Sequence, residues 1–220
     1  MALTYPLNRA FFFDTLLISE ITFDLPEQLA QSRTAGGEQL TAEYAERLWT
    51  GRVELAPMLR HEVGNPEVLL SVLRHAGRSF DIYDRRRPYP LADPTGTLLG
   101  TATPTIHAVG VDPREMALAG LPPGYVLSGG DYLSFPYAHL SVTRQALHRV
   151  VDYMVVADSA GQTPMFEVTP PLRPTPAVGQ GVELRKPFCR AVVVAGSFSP
   201  NTGRGNLSEG LGFDFVQTLR

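Results

Sequence analysis

A chain of 220 residues with a formal charge of −3, 20 glycines and 19 prolines can bury roughly 70% of its unfolded surface in one core or two small ones without cross-links. Its Gly and Pro content exceeds the roughly 12% of ordinary usage, which implies many turns and short strands and hence a β-rich protein. The acidic balance, with a pI near 5.9, excludes a non-specific nucleic-acid binder, which needs several cations on one face. A lone cysteine excludes an internal disulfide and a multi-cysteine metal cage.

In chain order, Phe11-Phe12-Phe13 and Leu16-Leu17-Ile18 are split by Asp14 and Thr15, too short and too polar for a membrane span or a signal peptide. The expectation is a protein made and folded in a cytoplasm. Strands are predicted over 9–14 and 17–25, and the polar stretch 28–39 reads as a loop. Over 48–55, Trp49, Gly51, Val53 and Leu55 alternate with Thr50, Arg52 and Glu54, the period of a strand with one apolar face. A helix follows, with Asn65 as N-cap, Pro66 at the first helical position and Val68, Leu69, Val72, Leu73 and Ala76 as one stripe before Gly77 stops it. It is expected to pack on the first sheet, with Phe80, Ile82 and Tyr83 in the next strand.

Pro88, Pro90, Pro94, Asp93, Gly96 and Gly100 make 85–100 a connector into a second unit, and a second Pro- and Gly-rich break spans 170–187. Between them, a Gly129-Gly130-Asp131 turn precedes a run in which Val150, Val151, Tyr153, Met154, Val155 and Val156 put apolar groups on both faces of one extended segment, as in a closed or sandwiched sheet. Asp158 to Gly161 turns the chain, Phe166 and Val168 alternate with Glu167, and Pro170-Pro171 ends that strand. Strands resume over 191–195 and 211–219, separated by a flexible Gly-rich loop at 197–210. The expected class is all-β with one short helix: a discontinuous β-sandwich from 1–100 with 186–220, and a small barrel inserted at 101–185. No internal repeat points to a solenoid or propeller.

Chemistry-bearing residues are sparse. Asp131, Asp152, Asp158 and Glu167 are the carboxylates that a glycan-hydrolysing pair would draw on, but Asp131 and Asp158 sit in turns, where short carboxylates bond their own backbone. His61, His75, His107, His139 and His148 show no i, i+4 spacing. Cys189 between Phe188 and Ala191 reads as a small buried hydrophobe, and Trp49 as a core anchor. Gly179-x-Gly181 and Gly203-x-Gly205 lack the helix or lysine of a phosphate loop, and Arg85-Arg86-Arg87 reads as an exposed turn. Tyr132, Phe135, Tyr137 and Tyr153 could give the barrel an aromatic face for carbohydrate; burial of those rings would instead favour a plain scaffold. No catalytic residue, cofactor or metal ligand is assigned.

Trp49-x-Gly51-x-Val53, Ala76-Gly77-Arg78-x-Phe80 and Tyr83-Asp84 resemble the N-terminal ring domain of distal tail proteins of long-tailed (siphovirus-type) bacteriophages. The segment 127–131, the Val-rich strand and Pro170-Pro171-Leu172-Arg173 are similar to the inserted barrel, of the oligonucleotide/oligosaccharide-binding (OB) kind, that some of these proteins carry. Phe213-Asp214-Phe215-Val216 resembles their closing strand. The resemblance implies a structural virion protein of the tail tip and baseplate: a homohexameric ring joining the tail tube protein to the baseplate hub protein and to receptor-binding proteins. It implies no catalytic residues, no nucleic acid and no membrane insertion. The loops 28–39 and 197–210 match no pattern of that family. A carbohydrate-binding barrel for host attachment is the alternative reading, and a glycan hydrolase the next.

Overall fold

The computed structural model describes residues 3–139 and 142–219. The mainly β class expected from the sequence is what the protein has: antiparallel sheets, two of them curled half-barrels, and one α-helix among the described residues. The chain forms two compact units, 1–80 with 191–218 and 81–190 with 219–220. The division expected from the sequence lies after residue 100 and after residue 185.

The first unit is built on a five-stranded sheet in the order Ile18–Ile21, Thr50–Leu55, Gly212–Gln217, Cys189–Val193, Phe80–Ile82. Trp49, Val53, Leu55, Phe213 and Phe215 are buried, as the alternation required. Phe80 meets Phe12 edge-on at 5.3 Å and Phe213 at 6.0 Å, while Phe23 bridges Trp49 and Phe215 at 5.4 and 5.3 Å, an arrangement that aromatic quadrupoles favour. Gly51 is required here, because a Cβ at that position would lie 1.9 Å from the Thr22 carbonyl oxygen and 2.8 Å from the Phe215 ring.

Several expected elements take a different form. Residues 9–14 are not a strand: Asn8 accepts the Ala10, Phe11 and Phe12 amides, and the turns end in a 3-10 helix at Phe13–Thr15 that buries Phe12 and Phe13. The strand predicted over 17–25 is confined to Ile18–Ile21. The loop predicted at 28–39 is a β-hairpin of Leu29–Arg33 and Gln39–Glu43. Residues 197–210 hold another hairpin, Thr202–Arg204 with Leu207–Glu209, extended by Met58–Leu59 into a small sheet.

The helix, α1, runs over Arg60–Leu73, five residues ahead of Asn65, because the Glu62 carboxylate takes the Leu59 amide at 2.9 Å and caps it there. Pro66 therefore lies inside the helix, and the buried stripe is Val63, Pro66, Leu69, Leu70 and Leu73, with Val68 60% exposed. Its neighbours are Met58–Leu59 and Leu207–Glu209 of the small sheet.

The second unit holds another five-stranded sheet, in the order Tyr132–His139, Val142–Val150, Phe166–Thr169, Glu115–Ala119, Thr105–Val109. Its two edges are joined by the segment 179–184: Thr105 bridges Gly181 and Ser134 bridges Glu183, both antiparallel. The sheet therefore closes into a barrel. Ile106, Met116, Leu118, Leu133, Phe135, Val150, Phe166, Val168, Val182 and Leu184 belong to the cluster that fills it, as expected of a small barrel with a packed interior.

The long hairpin of this barrel continues past Gly129-Gly130-Asp131 as a ribbon pairing Met154–Val156 with Val126–Ser128. The Val-rich run is thus not one two-faced strand. Its ladder stops at Val150, and the outer side chains of Val151, Tyr153, Met154 and Val156 are exposed while Val155 is buried. The turn expected at Asp158 forms, with the Ala160 and Gln162 amides on Asp158 Oδ1 at 2.8 Å each.

Candidate interaction surfaces

The residues weighed for chemistry serve the scaffold. Asp131 is buried and accepts the Ser128 amide at 2.7 Å and the Leu91 amide at 2.9 Å; burial nevertheless pushes its carboxyl above the usual range. Asp152 takes the Glu167 amide at 2.7 Å, and Glu167 faces Arg114 at 3.6 Å. Each of these carboxylates, with Asp158 in its turn, is engaged by backbone amides or by an arginine.

His148 is buried in the barrel wall, stacked on Phe135 at 5.3 Å with Nδ1 2.7 Å from the Pro170 carbonyl oxygen. Burial lowers its pKa to about 4, so it is neutral at pH 7 and donates that bond. No group of three or more His, Cys, Asp or Glu suited to a metal occurs among the described residues. Cys189 is buried, and burial beside Asp81 holds its thiol protonated. Gly179 and Gly181 belong to the segment that closes the barrel, and Gly203 and Gly205 to the hairpin at 202–209.

The barrel's aromatics do not form a shared exposed face. Tyr132 and Phe135 are buried, Tyr137 is half-buried, and Tyr153 is 91% exposed. A groove of about 520 Å³ lies on the barrel beside its closing segment, lined by Leu99, Pro104, Ser134, Gln145, Glu183 and Phe188 among others. The Ser134 hydroxyl there accepts the Phe188 amide at 3.1 Å, and the nearby Arg185 guanidinium is held by the Gly96 and Gly100 carbonyls.

Three aspartates fasten the Pro-rich connector to the barrel. Asp84, buried, receives Arg86 through both carboxylate oxygens at 2.9 Å and the Tyr132 hydroxyl at 3.4 Å. Asp93, buried, receives the Leu98 and Leu99 amides at 3.0 Å and the Tyr125 hydroxyl at 3.2 Å. Burial opposes ionisation of Asp93, but these donors outweigh it and hold its carboxyl below the usual value. Asp131 ties in Leu91, and Arg87 reaches the Gly130 carbonyl at 3.0 Å. The arginine run does form the expected turn, with Arg86 on the Asp84 carboxylate and Arg87 on the Gly130 carbonyl.

What the scaffold leaves unused is surface. In the hairpin at 29–43, Leu29 is half-buried and every other strand residue is exposed. Its stem is fixed to the large sheet by reciprocal Asp24 and Thr50 amide bonds at 2.8 Å and by Arg47, which donates to the Leu25 and Pro26 carbonyls. At the tip, the Gly37 amide reaches the Thr34 carbonyl, and Gly37 adopts φ +85, which only glycine takes readily. Register places Ala30, Ser32, Leu40 and Ala42 on one face and Leu29, Gln31, Arg33, Gln39, Thr41 and Glu43 on the other. Leu40 and Tyr44 are 51% and 68% exposed. Sequence reasoning missed this element; its signal was the Gly36-Gly37 pair between two short runs of equal length. Searches against known proteins found no matching family model and no matching curated protein.

Proposed function

We propose that this chain is a structural subunit of a bacteriophage tail tip, assembling into a homohexameric ring that joins the tail tube to the baseplate hub and the receptor-binding apparatus. It would be made in the bacterial host cytoplasm and reside in the virion. The observation that carries this reading is the hairpin at 29–43, a formed ladder with no buried residue. A two-stranded ribbon is marginal in water on its own and gains from packing against another surface, and both of its backbone edges are suited to pairing. The sequence resemblance supplies the class of assembly, and a ring of identical heterologous contacts closes when the subunit rotation divides a full turn. The second unit supports a spacer role through its filled barrel. The glycan-binding alternative draws no support from Tyr132 and Phe135, whose rings are buried.

Light scattering on a sizing column, followed by negative-stain imaging, tests the proposal. The expected particle is a ring of six times the 24.0 kDa subunit mass. A 24.0 kDa species that persists at every concentration and also fails to bind purified tail tubes would reject it.

A further inference from the structure

We infer that the ring contact is a head-to-tail pairing in which the hairpin at 29–43 of one subunit docks on the C-terminal end of α1 in a second copy of this chain. This rests on the ring reading above and names the two surfaces it needs. The hairpin side is acidic. Glu27, Glu38, Glu43 and Glu46 flank or belong to it, against Arg33 and the stem's Arg47, whose guanidinium is held by the Leu25 and Pro26 carbonyls, and none of these four carboxylates forms an ion pair among the described residues.

The opposite charge lies on the same unit. Between Leu70 and Phe80 there is no acidic residue, and Arg74, His75 and Arg78 are exposed. Arg74 and Arg78 form no ion pair among the described residues. Their guanidinium groups are held over aromatic rings, Arg74 over Phe198 at 4.5 Å and Arg78 over Tyr5 at 4.2 Å. Both cations are therefore pre-positioned, so less side-chain entropy is lost on docking.

Each surface also has apolar content. Leu40, 51% exposed, lies beside the tip that carries Glu38, Leu29 shares the face of Glu43, and Val68 is 60% exposed on the solvent side of α1. Unneutralised carboxylates meeting unneutralised guanidinium groups favour the correct register over hairpin-to-hairpin contact, where like charges would meet. Two different complementary patches on one chain are the requirement for a heterologous contact, the kind that generates rings.

The test uses the full chain with two charge-reversed variants, Glu38→Lys with Glu43→Lys, and Arg74→Glu with Arg78→Glu, all on exposed positions and each checked for an unchanged circular dichroism spectrum. Each variant alone is expected to raise the concentration at the assembly midpoint at least tenfold by mass photometry. An equimolar mixture of the two is expected to restore rings, since each carries the surface that the other's altered surface now fits. Wild-type rings should also weaken as salt rises toward about 1 M, where the Debye length is roughly 3 Å. Wild-type rings with both variants assembling equally well would overturn this pairing and leave the ring reading standing. A wild-type chain that forms no ring, alone or on tail tubes, would overturn both.

Discussion

At the scale of single residues, the polar groups inside this protein decide its response to pH. His148 changes from an ordinary value of 6.5 to about 4 on burial. The unfolded chain therefore binds a proton that the folded one refuses across that interval, and stability falls as pH drops from 6.5 toward 4, by roughly 3 kcal/mol if unopposed. His148→Gln keeps a donor for the Pro170 carbonyl and removes the titration. Urea unfolding at several pH values should show a shallower acid loss in the variant, and identical slopes would refute the assignment. Asp93 works in the same direction in a more acidic interval: its carboxyl is held below the usual value, so its contribution is present above the ordinary carboxylate pKa and is lost as pH falls through the lower folded value. Asp93→Asn turns one acceptor into an amide that faces donors and should cost about 2 to 3 kcal/mol at neutral pH. An unchanged urea midpoint would show that the Leu98, Leu99 and Tyr125 donors find other partners.

At the scale of elements, the sequence was legible where side chains alternate over a buried face and illegible where polar backbone pairing alone makes the ladder. Thr50–Leu55, Phe166–Thr169 and Gly212–Gln217 could be read because one face is apolar and buried. The hairpin at 29–43 could not, because its alternation separates small residues from polar ones. The start of α1 was misplaced because Asn65-Pro66 imitates a helix entrance, while the cap at work is the Glu62 carboxylate. The polar contacts of Asp84 and Asp93 escaped notice for a related reason: an aspartate beside proline and glycine reads as a turn, and only the fold brings Tyr132 and Tyr125 to it. Gly51 gives the element-scale prediction. Gly51→Ala must part the strand from Thr22 and displace the Phe215 ring, so a loss of about 3 kcal/mol in thermal or urea unfolding is expected. A loss below that of a typical surface substitution would mean the sheet yields more easily than its contacts imply.

At the scale of the molecule, the division into two compact units has an experimental counterpart. The barrel's core draws its buried members from within 81–190, so a fragment of those residues should unfold in one cooperative transition and keep its amide protection. A fragment with noncooperative melting and no protected amides would show that the barrel depends on the other unit. The sequence expectation of two units rested on the Pro- and Gly-rich breaks at 85–100 and 170–187. The stretch 85–100 looks like a linker by composition, and its attachment to the barrel by three aspartates was not legible in the sequence.

The closing segment at 179–184 carries a consequence for how the protein is born. Until residue 184 has left the ribosome, the strands Thr105–Val109 and Tyr132–His139 are two open edges of one sheet, separated by a seam that only the last piece of the unit can close. Those edges are the most exposed templates for mispairing that the nascent barrel offers. Its closing pairs are two isolated bridges rather than a continuous ladder, so local opening of the barrel is expected to begin there. A chain truncated shortly before residue 179 would therefore carry nearly all of the barrel's core residues and still behave as a sticky, unfinished sheet.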